Sequence, residues 1–240
     1  MGARFWAAGS AVSGVATTLA LIAPTLNVND IIIAQISSQD NDAVATPDAT
    51  WTSINELNNG TGLRSSLFWK RAVTGSSGAT FTFTGLAGTT SNMGILTAYR
   101  GCKADNNPIG SVTSSANVSA DAVTYATLTP TSNLSAIVAA GFYADNATTA
   151  GAITSTAPSV FTNVVDVEAV PAGAGLSLFQ YWGDNNVGGA TGALSHATTS
   201  TTDGVNNGIL FELLSESAVT GLGGGPTYPR RNRVSTRGDF

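Results

Sequence analysis

Short stretches of alternating or continuous apolar residues, separated by turn-forming residues, run along most of the chain. The clearest alternation is Thr80–Thr84, with the sequence TFTFT, which places both Phe rings on one face of a strand and the Thr side chains on the other. Other stretches, such as Ile31–Ile33 and 176–182, are apolar almost throughout, as expected for strands buried on both faces. The pattern therefore predicts many short β-strands.

Nine segments fit strands by this criterion. They are Val15–Ile22, Asp30–Ser37, Arg64–Val73, Thr80–Thr84, Met93–Arg100, Val123–Leu128, Leu134–Ala144, Gly175–Trp182 and Gly208–Leu214. Clusters of Gly, Asn, Asp and Pro, such as 59–60 and 105–108, mark turns between them. No 11-residue window shows a helical stripe with charged flanks. Many short strands at this spacing predict an all-β sandwich or barrel in residues 1–217.

Composition agrees with the strand pattern. The 240 residues include 24 Ser, 32 Thr and 27 Gly, whereas only 10% are charged, against about 25% in an average soluble domain. Thr favours strands and Gly favours turns, while the long charged side chains that favour helices are scarce. No apolar run approaches the ~20 residues of a membrane-spanning helix, so we expect no membrane partner.

Charge divides the chain into a body and a tail. Residues 1–217 carry six basic and fourteen acidic residues, and the Gly-rich linker and tail at 218–240 carry four Arg against one acid. An acidic body repels nucleic acid, which is therefore not an expected partner. We expect an extended, irregular tail that binds an acidic surface of a neighbouring subunit, because Arg makes bidentate hydrogen bonds with carboxylates. The predicted partner-binding residues are Tyr228, Arg230, Arg231, Arg233, Arg237 and Phe240.

Groups for nucleophilic or metal chemistry are few. His196 and Cys102 are the single His and the single Cys, which excludes metal sites built on several of either residue. His196 lies in an alternating, strand-like segment at 192–198 without a nucleophile elbow, and we interpret it as a solvent-facing strand residue. Cys102 fits a buried, inert thiol. No catalytic residue is predicted.

Acidic residues suggest two further hypotheses. Glu212 either points into a cleft, as the acid of a glycoside hydrolase would, or faces outward from a half-buried strand, and no second acid stands at a readable spacing from it. The loops at 39–42, 145–146 and 184–186 offer oxygen ligands for a structural Ca²⁺, although Asp and Asn are also ordinary turn residues. No other cofactor is expected.

Three aromatic residues, Trp69, Tyr181 and Trp182, form a candidate glycan-binding set. Sugar rings have apolar C–H faces that stack on Trp and Tyr rings. Their pairing within strands fits a core position equally, so both interpretations stay open.

Several motifs follow one another in a recognisable order. They are an ND-apolar strand (Asn29–Ile33), a Pro turn with a Trp (Pro47–Trp51), paired aromatics with bases (Leu67–Arg71), AYRG (Ala98–Gly101) and NPI (Asn107–Ile109). This order resembles a jelly-roll sandwich family common in tailed-bacteriophage virion proteins and some bacterial surface proteins. The resemblance extends over residues 1–215 and implies a jelly-roll β-sandwich, a place in the virion and no particular active site.

The resemblance and the scarcity of reactive groups together give the functional expectation. We expect a non-enzymatic virion structural protein, a capsid decoration or head- or tail-fibre subunit of a tailed bacteriophage. It would form a homotrimer on the surface of the head or tail and dock on other virion subunits through its C-terminal tail. The alternatives are a carbohydrate-binding surface adhesin that meets a host glycan and a glycoside hydrolase.

Overall fold

The computed structural model of the chain describes residues 2–60, 62–145, 150–153, 160–170, 175–185, 189–199 and 204–216. In these residues every helix or strand assigned is a β-strand, and neighbouring strands of each sheet are antiparallel, which confirms the all-β prediction. No helix in these ranges is long and apolar enough to span a membrane. The predicted tail lies outside the described residues.

The first half of the chain forms one large sheet and one small one. Its strands are β1 (Arg4–Ala8), β2 (Val12–Gly14), β3 (Thr18–Ile22), β4 (Ile31–Ser38), β5 (Thr52–Asn59), β6 (Leu63–Arg71), β7 (Thr80–Thr84) and β8 (Asn92–Arg100). The large sheet has the order β1-β8-β4-β6-β5, with β2 also pairing with β8, and β3 pairs with β7 separately. Phe83 is fully buried and the three Thr residues of β7 are exposed, as the alternation predicts.

The second half repeats this division. Its strands are β9 (Ile109–Ala120), β10 (Ala122–Tyr125), β11 (Ser135–Tyr143), β12 (Thr162–Ala169), β13 (Leu176–Asn185), β14 (Leu194–Ala197) and β15 (Gly204–Leu214). The large sheet has the order β9-β15-β11-β13-β12, and β10 pairs with β14 separately.

The two large sheets face each other, and each carries a two-stranded sheet on its outer face. The central core between the large sheets takes residues from both, for example Ile33 of β4 and Val138 of β11. Leu21 of β3 packs with Ile32 on the outer face of the first sheet, and Val123 of β10 lies in the corresponding cluster of the second. Central strands are therefore buried on both faces, which explains their continuous apolar sequences.

The two halves have the same strand order. If the three-residue β2 is set aside, the seven strands β1 and β3–β8 correspond, in chain order, to β9–β15. If the strands of each half are numbered one to seven, the large sheet of each half has the order 1-7-3-5-4. Strands 2 and 6 form the separate pair in both halves. The described strands thus form two halves of equivalent topology, a repeat that the sequence analysis does not predict.

Strand register extends this correspondence to single residues. In β5 and in β12, a bulge begins at the residue pair next to one that contains a Trp. The pairs and bulges are Thr52 with Trp69 and Ser53/Asn55 in the first half, and Thr162 with Trp182 and Asn163/Val165 in the second. A bulge shifts the register by one residue, so matching bulges fix the alignment of the strands. Glu56 of β5 therefore corresponds to Asp166 of β12, and Asn58 to Glu168.

The last strands of the two halves, β8 and β15, contain similar segments, Asn92–Leu96 (NMGIL) and Asn206–Leu210 (NNGIL). The Asn92 side-chain amide donates to the carbonyl of Ala16 at 3.0 Å, and that of Asn206 donates to the carbonyl of Ala120 at 3.1 Å. Each acceptor stands two residues before the first strand of the covering pair. The same side chain therefore anchors the same loop in both halves.

Polar side chains also link the two large sheets inside the central core. Gln35 of β4 donates through Nε2 to the carbonyls of Gly141 and Phe179 at 2.9 and 3.1 Å, and Tyr99 donates to Oε1 of Gln180 at 2.9 Å. Gln35, Tyr99 and Gln180 are all fully buried. Buried hydrogen bonds are costly to break because no water replaces them. These bonds join residues of both halves, so the halves share one core.

Candidate functional site

His196 lies inside the protein, which contradicts its predicted solvent-facing position. Its side chain is 1% exposed, between the rings of Tyr125, Phe179 and Tyr181, and its Nδ1 lies 3.2 Å from the Tyr125 hydroxyl. Burial disfavours the charged imidazolium and lowers the pKa of His196 to about 4. The segment is a strand as predicted, but the residues that alternate toward the sheet are Leu194 and His196. His196 is therefore a neutral core residue at pH 7.

Glu212 is fully buried, which contradicts both the cleft position and the outward position. Its Oε2 accepts hydrogen bonds from the backbone N–H of Ser111 at 3.1 Å and from the N–H and hydroxyl of Thr131, both at 2.8 Å. Its Oε1 accepts from the N–H of Ser132 at 2.9 Å. Burial raises the pKa of the carboxyl, but hydrogen bonds from Thr131, Ser135 and Ser111 outweigh it and hold the pKa below its ordinary value. The carboxylate thus ties the start of β9 and the loop before β11 to β15.

The three predicted glycan-binding aromatics contribute to the core. Tyr181 is 1% exposed, and its hydroxyl donates to the carbonyl of Gly151 at 2.7 Å. Trp69 and Trp182 stand at equivalent positions of the two halves, partly buried and packed against the central core. A sugar would have to displace this packing to stack on these rings.

The remaining predictions concern the single Cys, metal sites and the tail. Cys102 is buried, as predicted, and burial raises the pKa of its thiol to about 12. Within the described ranges no group of three or more His, Cys, Asp or Glu residues could hold a metal ion. The predicted tail residues lie outside the described part of the chain. They are Tyr228, Arg230, Arg231, Arg233, Arg237 and Phe240.

An exposed aromatic and a buried ion pair form a surface site at the end of the first sheet. Arg100 donates through Nε and Nη2 to the two carboxylate oxygens of Asp30, at 2.9 and 2.8 Å, and Asp30 is only 2% exposed. The Arg100 guanidinium lies 3.5 Å from the centre of the Trp6 ring, and Trp6 is 44% exposed. Hydrogen bonding to Asp30 raises the pKa of Arg100, which stays charged. The AYRG and ND motifs mark Arg100 and Asp30 in the sequence, but sequence reasoning missed Trp6.

A pocket of about 440 Å³ opens beside this ion pair. Its wall includes Asp30, Arg100, Gly101 and, from the far end of the described chain, Glu216. The backbone N–H of Glu216 donates to the carbonyl of Gly101 at 3.0 Å, which holds this residue beside the end of β8. The described part of the chain therefore ends at the wall of this pocket.

The two halves share one topology but differ in their charged residues. Residues 1–108 carry six basic and six acidic residues. Residues 109–216 carry eight acidic residues and no Lys or Arg at all. The negative charge of the body thus belongs to its second half, which is the part of the chain with the strongest attraction for a basic partner.

No protein-family model, no curated protein sequence and no solved structure matches the chain.

Proposed function

We propose that the chain is a non-enzymatic structural protein of a tailed-bacteriophage virion, either a capsid decoration protein or a subunit of a head or tail fibre. The β-body is a rigid exposed unit with the jelly-roll fold of the family it resembles. Residues 218–240 bind a neighbouring subunit and hold the body in its assembly, which we propose to be a homotrimer.

The spatial arrangement of the motifs supports the resemblance on which this proposal rests. The ND strand and the AYRG strand are neighbours in the first sheet, and their charged residues Asp30 and Arg100 form a bidentate ion pair. In each half the first strand pairs with the last and the second with the last but one, as in nested Greek-key connections. These are the features that favour a jelly roll.

The observation that carries the docking role is the distribution of charge. A half with eight acidic residues and no base is followed by a segment with four Arg and one acid. Arg pairs with carboxylates through two parallel hydrogen bonds, so this segment suits an acidic surface of a second copy. Burial of Glu212 and His196 supports the non-enzymatic part of the proposal, because neither side chain is accessible to a substrate.

Deletion of residues 221–240 tests this function. We expect the full chain to form a homotrimer and the shortened chain to remain a cooperatively folded monomer, because the central core is built from residues before the deleted segment. Light scattering gives the mass, and calorimetry gives the melting temperature. A monomeric full chain, or a shortened chain with the mass of the full assembly, would contradict the proposal.

Trp6 favours the adhesin as a second candidate function. Its indole is 44% exposed and lies against Arg100, which lines the pocket, whereas the three aromatics named from the sequence pack in or against the core. On this alternative a host glycan stacks on Trp6, and Trp6→Ala abolishes binding on a glycan array while Val73→Ala, at another exposed apolar residue, does not. No binding by the unaltered chain would remove the adhesin.

A further inference from the structure

One edge of each large sheet is formed by equivalent strands, β5 in the first half and β12 in the second, and the opposite edges are β1 and β9. Among the described residues, each has a strand partner on one side only. The other side of such a strand presents backbone N–H and C=O groups that a further strand can pair with. Lys, Pro or an additional covering strand commonly protects an edge, and β12 contains neither Lys nor Pro.

The two edges differ in how their acidic residues are neutralised. Glu56 of β5 forms a salt bridge with Arg64 of the adjacent β6. Its equivalent, Asp166 of β12, is exposed, and its Oδ2 accepts a hydrogen bond only from an uncharged donor, the backbone N–H of Ala150 at 3.1 Å, among the contacts of the described residues. The register places Ser177 where the first half has Arg64. Glu168, two residues further on the same face, is also exposed. None of the salt bridges among the described residues includes Asp166 or Glu168.

In the first half, an Arg neutralises the carboxylate on the edge strand. Residues 109–216 contain no Arg or Lys, so the second half has no basic residue of its own for this place. The next basic residues along the chain are Arg230, Arg231, Arg233 and Arg237 of the tail. An Arg of the tail could therefore take the place beside the β12 carboxylates that Arg64 takes beside Glu56.

The tail segment 230–237 also has the pattern of a strand that fits this edge. Arg231 and Arg233 are two residues apart, as Asp166 and Glu168 are, and residues two apart lie on one face of a strand. The segment contains Val and Thr, which favour strands, and no Pro, so all its N–H groups can pair. Residues 217–229 span up to about 45 Å when extended, enough to leave one body and reach another.

We propose that residues 230–237 of one copy add as a further strand to the outer edge of β12 in a neighbouring copy, with Arg231 and Arg233 facing Asp166 and Glu168. Backbone hydrogen bonds supply the pairing, and the opposite charges across the strands select this edge over β5, whose carboxylate is already neutralised. This inference rests on the proposed docking function and names the surface that the tail binds.

A charge exchange in the full-length chain tests the pairing. Asp166→Lys/Glu168→Lys and Arg231→Glu/Arg233→Glu should each weaken self-association at least about tenfold, measured by light scattering over a concentration series. The two changes combined should restore it, because opposite charges face each other again. The matched control, Glu56→Lys/Asn58→Lys, puts the same charges on the equivalent positions of β5 and should leave association unchanged.

The outcomes separate this inference from the function on which it rests. If deletion of residues 221–240 abolishes assembly but the β12 changes leave it intact, the tail still docks and the proposed surface is wrong. If the β12 changes abolish assembly and the exchange does not restore it, the pairing with Arg231 and Arg233 is wrong. If deletion leaves assembly intact, both proposals fall.

A disulfide trap establishes whether the pairing joins two copies. One chain carries Glu168→Cys and a second carries Arg231→Cys, and buried Cys102 stays inert in both. Mild oxidation of the mixture should give a covalent pair of unlike chains within the assembly. Placing both cysteines in one chain and obtaining only an internal crosslink would overturn the neighbouring copy as the source of the strand.

Discussion

The first half of the chain, from Arg4 to Arg100, and the second, from Ile109 to Leu214, build the same set of strands with different side chains. They share the Asn that anchors the loop before the covering pair, the Trp opposite each outer strand and the bulge beside it. They differ in charge, since the first half is neutral overall and the second has only acids.

The features that the two halves share are those that specify the fold, and the features that differ are free to vary. Register, bulges and a few anchoring side chains are common to both halves, so these determine the strand order. Polar and charged positions differ, as where Ala98 of the first half corresponds to the buried Glu212 of the second. Such positions are available for a role that only one half performs, and on our proposal the second half uses its edge for docking.

Glu212→Ala should give the largest loss of stability, because it removes a fully buried carboxylate and leaves the N–H groups of Ser111, Thr131 and Ser132 without that acceptor. We expect the free energy of unfolding to fall by about 4 kcal/mol, measured by urea denaturation. Glu56→Ala, which breaks a surface ion pair in the other half, is the control and should cost under about 1 kcal/mol. A smaller loss for Glu212→Ala than for Glu56→Ala would contradict the structural role of the buried carboxylate.

The next largest effect contrasts two equivalent glycines. A Cβ on Gly208 would lie 2.0 Å from the backbone oxygen of Thr124, whereas a Cβ on Gly94 would lie 3.1 Å from the flexible side chain of Leu21. Gly208→Ala should therefore cost about 3 kcal/mol or more and Gly94→Ala about 1 kcal/mol, again by urea denaturation. Equal losses at the two sites would mean that the covering pairs do not approach the sheets as described.

His196 should make the second half sensitive to mild acid. Its folded-state pKa of about 4 lies below the ordinary value of 6.5, so the unfolded chain binds the proton more readily between these pH values. Stability is then full above pH 6.5 and falls as the pH drops toward 4. Between pH 7 and pH 5 the free energy of unfolding should fall by about 2 kcal/mol.

His196→Phe is the matched variant, because it removes the titrating group and keeps an aromatic ring in the pocket. The difference in unfolding free energy between pH 7 and pH 5 should largely disappear in this variant. Glu212 contributes little in this range, since its pKa is lowered and its stabilising effect is lost only at more acidic pH. An unchanged pH difference would show that another group is responsible.

The sequence predicts strands best where they are buried on both faces. Continuous apolar stretches indicate β4 and β11, whereas the outer strands β5 and β12 were missed because half of their residues face solvent and are polar. The repeat is hidden because register and bulges, rather than residue identities, carry it. Its visible trace is the shared NxGIL pattern, at Asn92–Leu96 and Asn206–Leu210.

The environments of single polar residues are harder to predict than strands. Alternation places His196 on one face of β14 but does not say which face the covering pair buries. The donors around Glu212 come from β9 near residue 111 and from the loop near residue 131, about 100 and 80 positions away in the chain. Sequence spacing does not reveal partners that only the folded sheets bring together.

The contrast between the two sheet edges is tested most directly by hydrogen–deuterium exchange of β5 and β12 in the full chain and in the chain without residues 221–240. We predict that outward-pointing amides of β12 exchange at least about tenfold faster once the tail is removed, while those of β5 are unchanged. Equal exchange of β12 in the two proteins would contradict the account.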